Sequence, residues 1–220
     1  NTPCVSTLSG NYTIDANGTG ATNFPSIAAA LAAVSACGIT GPVTFTLAPY
    51  VHTGGLNLAL LNGASSTKTV TFQGPATGTA TIQGAGGQFA AVIMNGTNYV
   101  TLRKLHILHP TASGIIFIGG AHDIVSDDNE ILADTTATGA TVAAIAATST
   151  LSSVSGFGNN ANNITITNNI IKGGYYGVRF NGTSTTVFSS GITLTGNTIT
   201  KSFYYGSYFY YMGNLTINDN

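Results

Sequence analysis

One phrase recurs along this chain. Asn163-Ile-Thr-Ile-Thr-Asn-Asn-Ile-Ile171 returns as Gly191-Ile-Thr-Leu-Thr-Gly-Asn-Thr-Ile199 and opens again at Asn214-Leu-Thr-Ile-Asn-Asp-Asn220. A worn copy stands at Asp123-Ile-Val-Ser-Asp-Asp-Asn-Glu-Ile131. Aligned on Asn129, Asn169, Asn197 and Asn220, the copies are 40, 28 and 23 residues apart. A coil of three short strands and three turns needs roughly 20–30 residues. Such a period predicts a solenoid, each copy stacking one coil on the last. Fainter coils precede it at Tyr99-Val-Thr-Leu-Arg103 and Thr69-Val-Thr-Phe-Gln73.

Alternation assigns the faces, because neighbouring side chains of a strand point to opposite sides. Val70/Phe72, Val100/Leu102, Ile124/Ser126, Ile164/Ile166, Ile192/Leu194 and Leu215/Ile217 are expected to line the core. Thr71, Thr101, Val125, Thr165, Thr193 and Thr216 are expected outside. The asparagines fall where the strand ends. Amides stacked about 4.8 Å apart can donate and accept along the file, so Asn129, Asn169, Asn197 and Asn220 are predicted to form a structural ladder.

Two segments stand apart from the repeat. Phe24-Pro-Ser-Ile-Ala-Ala-Ala-Leu-Ala-Ala-Val-Ser-Ala36 reads as a helix, with Pro25 suited to a first turn and Gly38 to the stop. Ile27, Leu31 and Val34 lie on one face. Residues 1–48 are read as an N-terminal cap and residues 49–220 as the coils. Residues 137–160, rich in Ala, Thr, Ser and Gly, are read as an insertion that lengthens the 40-residue interval. The expected fold is all-β, a right-handed parallel β-helix with a capping α-helix.

At this point a resemblance carries weight. The order Asn23-Phe-Pro-Ser-Ile-Ala-Ala-Ala-Leu-Ala-Ala-Val34, then Gly41-Pro-Val-Thr-Phe-Thr-Leu-Ala-Pro49, then coils of the form Asn-Asn-x-Ile, resembles the pectate-lyase-like right-handed parallel β-helix superfamily. The opening Cys4-x-x-x-Leu-Ser-Gly-Asn-Tyr-Thr-Ile14 and the Ser35-Ala-Cys-Gly38 that closes the helix resemble large surface proteins of Bacteroidetes. Those are commonly exported by the type IX secretion system, and many are adhesin-like. The resemblance implies an extracellular or cell-surface location, with the secretion machinery and further domains of a longer chain as partners. It fixes no activity, since this fold hosts lyases, hydrolases, esterases and non-enzymes.

Composition agrees with export and narrows the partners. Charged residues make up 6% of the chain and the net charge is −1, which disfavours nucleic acid. No run reaches the roughly 18 apolar residues of a membrane span. The chain starts at Asn1 without Met and stops partway through a coil. It is therefore expected to be a trimmed piece of a longer protein, or to have its end covered by a partner. Cys4 and Cys37 are read as a disulfide, worth on the order of 3–4 kcal/mol in the chain-entropy model; two buried thiols are the alternative.

Three surfaces are candidates for function. The first is aromatic: Gly174-Tyr-Tyr-Gly177-Val-Arg-Phe180 matches Phe203-Tyr-Tyr-Gly206-Ser-Tyr-Phe209. Tyr175 should sit beside Tyr204 and Tyr176 beside Tyr205, with Tyr208 and Tyr210 extending the patch. Flat apolar faces with a polar tip suit a sugar ring or a protein surface. The second is a cluster of Arg103, Asp127 and Asp128. Lyases of the superfamily hold Ca²⁺ between carboxylates and use an Arg or Lys base, so these are the catalytic candidates, with Ca²⁺ the only cofactor in view. Alignment also puts Arg103 on the file of Asp127 and Lys104 on that of Asp128, which predicts cross-coil ion pairs. The third is the threonine file, an array of the kind that orders water on ice-binding solenoids. The four histidines are read as surface or turn residues. A non-catalytic surface domain is the leading expectation, polysaccharide cleavage the alternative, and ice binding a third.

Overall fold

Strands one repeat apart lie side by side, and all the named ladders run parallel. The computed structural model describes residues 6–184 and 188–220. The chain enters through β1 (Leu8–Ile14), β2 (Asn23–Phe24), α1 (Ile27–Cys37) and β3 (Ile39–Leu47). Next come β4 (Val51–Thr53), β5 (Leu56–Leu58), β6 (Val70–Gln73), β7 (Thr81–Gln83) and β8 (Ala90–Asn95). The middle holds β9 (Asn98–Arg103), β10 (His106–Leu108), β11 (Ser113–Ile118), β12 (Ala121–Asp127), β13 (Glu130–Leu132) and β14 (Ala143–Ala147). The rest is β15 (Ala161–Thr167), β16 (Ile170–Lys172), β17 (Tyr176–Asn181), β18 (Ser189–Thr195), β19 (Thr198–Thr200), β20 (Tyr205–Tyr210) and β21 (Met212–Asn218).

From β3 onward each strand pairs with the strand three elements later. The first sheet runs β2-β1-β3-β6-β9-β12-β15-β18-β21. The second runs β4-β7-β10-β13-β16-β19, and the third β5-β8-β11-β14-β17-β20. This is an all-β, parallel, solenoid-like architecture with one short helix.

Register matches like with like. Val43, Val70, Val100, Ile124, Ile164, Ile192 and Leu215 form one file. Phe45, Phe72, Leu102, Ser126, Ile166, Leu194 and Ile217 form another. Both files are buried from Val43 and Phe45 through Ile192 and Leu194. The expectation of a buried Ile217 fails. It is 45% exposed, because β21 is the outermost strand of its sheet and nothing among the described residues lies over it.

Two files of left-handed backbone mark the later strands of the first sheet, β9, β12, β15, β18 and β21. On one side are Tyr99, Asp123, Asn163, Gly191 and Asn214; on the other, Lys104, Asp128, Asn168, Gly196 and Asp219. Their φ values lie between 48° and 74°. Gly, Asn and Asp enter this region most easily, which explains why the repeat opens on Asn or Gly and ends its strand on Asn, Asp or Gly. Tyr99 and Lys104 hold the same conformation without that ease.

The third sheet departs from alternation. β8 (AAVIMN), β11 (SGIIFI) and β14 (AAIAA) are buried on both faces over nearly their whole length. Inside, Val92, Ile115, Ile145 and Val178 join the main core. Outside, Ala90, Ile93, Ile116, Ala143, Ala146, Val154 and Tyr176 make a second, smaller core. Strands covered on both faces read as continuous apolar runs, which is what these three show.

Two sequence expectations need correction here. The expected insertion at 137–160 is not one block. It is interrupted by β14, a regular strand paired to both β11 and β17. The extra length sits on either side of it, and the later part, 148–160, folds as a lobe that brings Val154 over the outer face of the third sheet. The lobe is tied down where Asn160 Nδ2 donates to Asn181 O (2.8 Å) and Asn181 Nδ2 donates to Val154 O (2.9 Å). Short apolar strands flanked by Gly and Ser are hard to tell from a loop by composition. The histidines also differ: His52 and His109 are buried, not surface groups. His52 Nε2 lies 3.0 Å from Ala48 O and its ring stacks on Tyr50, while His109 Nε2 lies 3.2 Å from Ala85 O.

α1 begins one turn later than its sequence pattern. Ser26 is the N-cap, its Oγ accepting from Ala29 N at 3.2 Å, and Gly38 N donates to Val34 O at 2.8 Å to close it. Ile27, Ala30 and Val34 pack into the main core. Cys37 is half-buried at the helix end. Its expected partner Cys4 lies outside the described residues.

Candidate functional site

The corner between the second and third sheets places the tyrosines. Gly177 is needed there: a Cβ would come within 2.5 Å of Gly206 O and of Ile199 Cγ2. The pinched corner turns Tyr175 and Tyr176 outward, and the next coil repeats the arrangement with Tyr204 and Tyr205. Tyr175 stacks on Tyr204 with ring centroids 5.2 Å apart. Tyr176 and Tyr205 are paired in register, their rings 6.2 Å apart and 9° from parallel. Phe203 lies 5.5 Å from Tyr175.

The patch continues along β20. Tyr208 and Tyr210 stack with planes 2° apart. Phe157 reaches over from the lobe to within 5.4 Å of Tyr210 and 5.7 Å of Tyr211. The six predicted tyrosines therefore lie on one surface. They differ in access. Tyr204 (59%), Tyr205 (41%) and Tyr210 (40%) are exposed; Tyr175 and Tyr208 are half-buried, and Tyr176 is 8% exposed.

At the centre stands a residue that sequence reasoning passed over. Arg179 is 7% exposed, yet its guanidinium lies 4.4 Å from the Tyr176 ring centroid and 5.1 Å from that of Tyr208. Its Nε donates to Asn181 Oδ1 at 3.4 Å. Among the described residues no carboxylate lies within ion-pairing range of it. The file it belongs to runs Ile93, Ile116, Ala146, Arg179, Tyr208, so it is the one charge in an otherwise uncharged outward row. That single charge within an aromatic strand was the available signal. Phe157 was missed for another reason, since only tertiary contact joins it to the tyrosines.

Burial is the main cause that pushes the Tyr176 phenol above its ordinary range. Tyr205 is pushed up chiefly by its hydrogen bond with Tyr204, and Tyr211 by that with Tyr210.

The acidic cluster behaves otherwise. Asp127 is in register with Arg103, but it makes no ion pair there. Its Oδ1 accepts instead from Thr167 Oγ1 (2.9 Å) and Asn168 Nδ2 (3.0 Å) in the next coil. The predicted Arg103–Asp127 and Lys104–Asp128 pairs are absent among the described residues, where the ion pairs are His106–Glu130, His122–Asp123 and Lys172–Glu130. The neutral donors of the following coil sit where Asp127 can accept two hydrogen bonds at once, and exposed pairing to a long, mobile Arg does not compete with that. Among the described residues no three His, Cys, Asp or Glu side chains converge as a metal site.

A shallow cleft of about 340 Å³ lies beside this cluster, lined among others by Lys104, His106, Asp128, Glu130 and Asn168. Lys172 Nζ donates to Glu130 Oε1 at 2.6 Å, and Thr81 Oγ1 lies 3.1 Å from His106 Nδ1. The hydrogen bond from Lys172 is the largest influence on Glu130 and holds its carboxyl below the ordinary 4.5, with His106 adding to the effect.

The asparagines form a continuous file behind the cleft. Asn129 N and Nδ2 donate to Asn169 Oδ1, Asn169 N and Nδ2 to Asn197 Oδ1, and Asn197 N and Nδ2 to Asn220 Oδ1, all between 2.7 and 3.1 Å. Asn129, Asn169 and Asn197 are buried. Comparison with protein-family models, with curated proteins and with solved structures finds no match to this chain.

Proposed function

We propose that the chain is a right-handed parallel β-helix, closed at its first coil by α1, and that it serves as a rigid, non-catalytic scaffold of an exported surface protein, docking glycan through the tyrosine surface. The observation that carries this reading is the exposed, in-register tyrosine array on a ladder of backbone hydrogen bonds. Tyr204 and Tyr205, the exposed members of the two stacked pairs, are held in place by Tyr175 and Tyr176, so they offer aromatic surface to sugar rings and lose little freedom on binding. The test is retention on immobilised glycans. The Tyr204→Ala and Tyr205→Ala variants are expected to fold normally and to bind about 3–10-fold more weakly, the value of a lost aromatic face. Unchanged retention refutes the site.

Polysaccharide cleavage is the second reading, and the cleft lined by Lys104, His106, Asp128 and Glu130 is what favours it. Against it stands the engagement of Asp127 with Thr167 and Asn168. Release of unsaturated uronides from a polyuronate, followed by ultraviolet absorbance, decides for cleavage. Intact polymer with retained binding decides for docking.

A further inference from the structure

We infer that Arg179 makes the tyrosine surface selective for acidic saccharides, with its guanidinium receiving a carboxylate or sulfate ester that projects from a chain laid across Tyr204 and Tyr205. This rests on the glycan-docking reading above and adds the charge class of the ligand.

A buried cation is normally paired with an acid, because taking a charge out of water is costly. Arg179 is 7% exposed, and among the described residues no acid pairs with it. Two ring faces and the Asn181 amide oxygen hold it in place. Cation–π contacts offset part of the desolvation. Nε is taken up by Asn181 Oδ1, and the remaining in-plane N–H groups of the guanidinium match an oxyanion geometrically.

Position supports the same conclusion. The three members of the file before it, Ile93, Ile116 and Ala146, are apolar, so a charge here finds no counter-charge on that side of its row. The row ends at Tyr208, and Tyr205 lies beside Tyr176 within the exposed surface. Arg179 thus sits under the aromatic surface and not remote from it. So little of it is open that a small projecting group can reach it where a broad protein surface cannot.

The experiment compares three polymers with one backbone: dextran, carboxymethyl-dextran and dextran sulfate. Wild-type protein is expected to bind at least one charged form about 10-fold or more tightly than dextran at low salt, the value of one charge-assisted hydrogen bond. The preference is expected to shrink at high salt. Arg179→Gln should remove the preference, so that the charged polymers bind no more tightly than dextran does to the same variant; Arg179→Lys, which keeps the charge but not the fork, should retain only part of it. Should the Arg179→Gln variant fail to fold, the salt dependence of the wild-type preference carries the test. Equal binding of all three polymers overturns this inference and leaves glycan docking standing. Binding of poly-glutamate as tight as that of carboxymethyl-dextran also overturns it. Binding to none overturns both readings.

Discussion

At Asn169 a single amide serves two coils. Its Oδ1 accepts from Asn129 N, Asn129 Nδ2 and Ser126 Oγ, while its Nδ2 donates to Ser126 O, Thr167 O and Asn197 Oδ1. Removing it leaves buried donors and acceptors without partners, so Asn169→Ala is expected to cost about 1–3 kcal/mol in denaturant unfolding. Asn169→Asp should cost at least as much, because a carboxylate cannot donate to the two carbonyls. Equal midpoints for wild type and both variants would contradict the ladder's role. Glu130 gives a pH signature. Its folded pKa lies below the ordinary 4.5, so its contribution to stability is complete above that value and lost as pH falls through the lowered one. The pair is partly exposed, so the loss is at most about 1 kcal/mol. Glu130→Gln should flatten the acid limb of the stability–pH curve measured by thermal melts.

Among elements, the corner glycines carry the sharpest prediction. A Cβ on Gly177 meets Gly206 O and Ile199 Cγ2 at 2.5 Å, whereas one on Gly206 meets nothing nearer than 3.9 Å. Gly177→Ala is expected to destabilise by about 1–3 kcal/mol and Gly206→Ala by far less, although the repeat aligns the two glycines. A matched loss in both would show that the corner is not pinched. The same elements show how far sequence reasoning reached. Alternation identified both faces of the first sheet, since Val100, Ile124, Ile164 and Ile192 stack as their spacing implies. It did not identify β14, whose small apolar residues carry no alternation because both faces are covered. The tyrosines were legible as a matched pair of segments. Their burial order was not, because Tyr176 is covered by neighbours from separate stretches of chain.

For the whole molecule, stacking makes stability a sum over coils and their interfaces. A second copy of residues 170–197 inserted after Asn197 should keep every file in register, since Asn197 already occupies the position that Asn169 holds one coil earlier. The expected result is an unchanged strand signature in circular dichroism and a larger denaturant m-value, in keeping with the extra surface buried. A loss of the cooperative transition would argue against coil-by-coil stacking. The chain's own letters determined the period, the inward and outward files and the amide ladder, because each follows from local alternation repeated along one direction. The partner of Asp127, the lobe over the third sheet and the enclosure of Arg179 were decided only in three dimensions. Each depends on which of several polar or aromatic groups from distant coils comes nearest, and alternation along a strand carries no information about that choice.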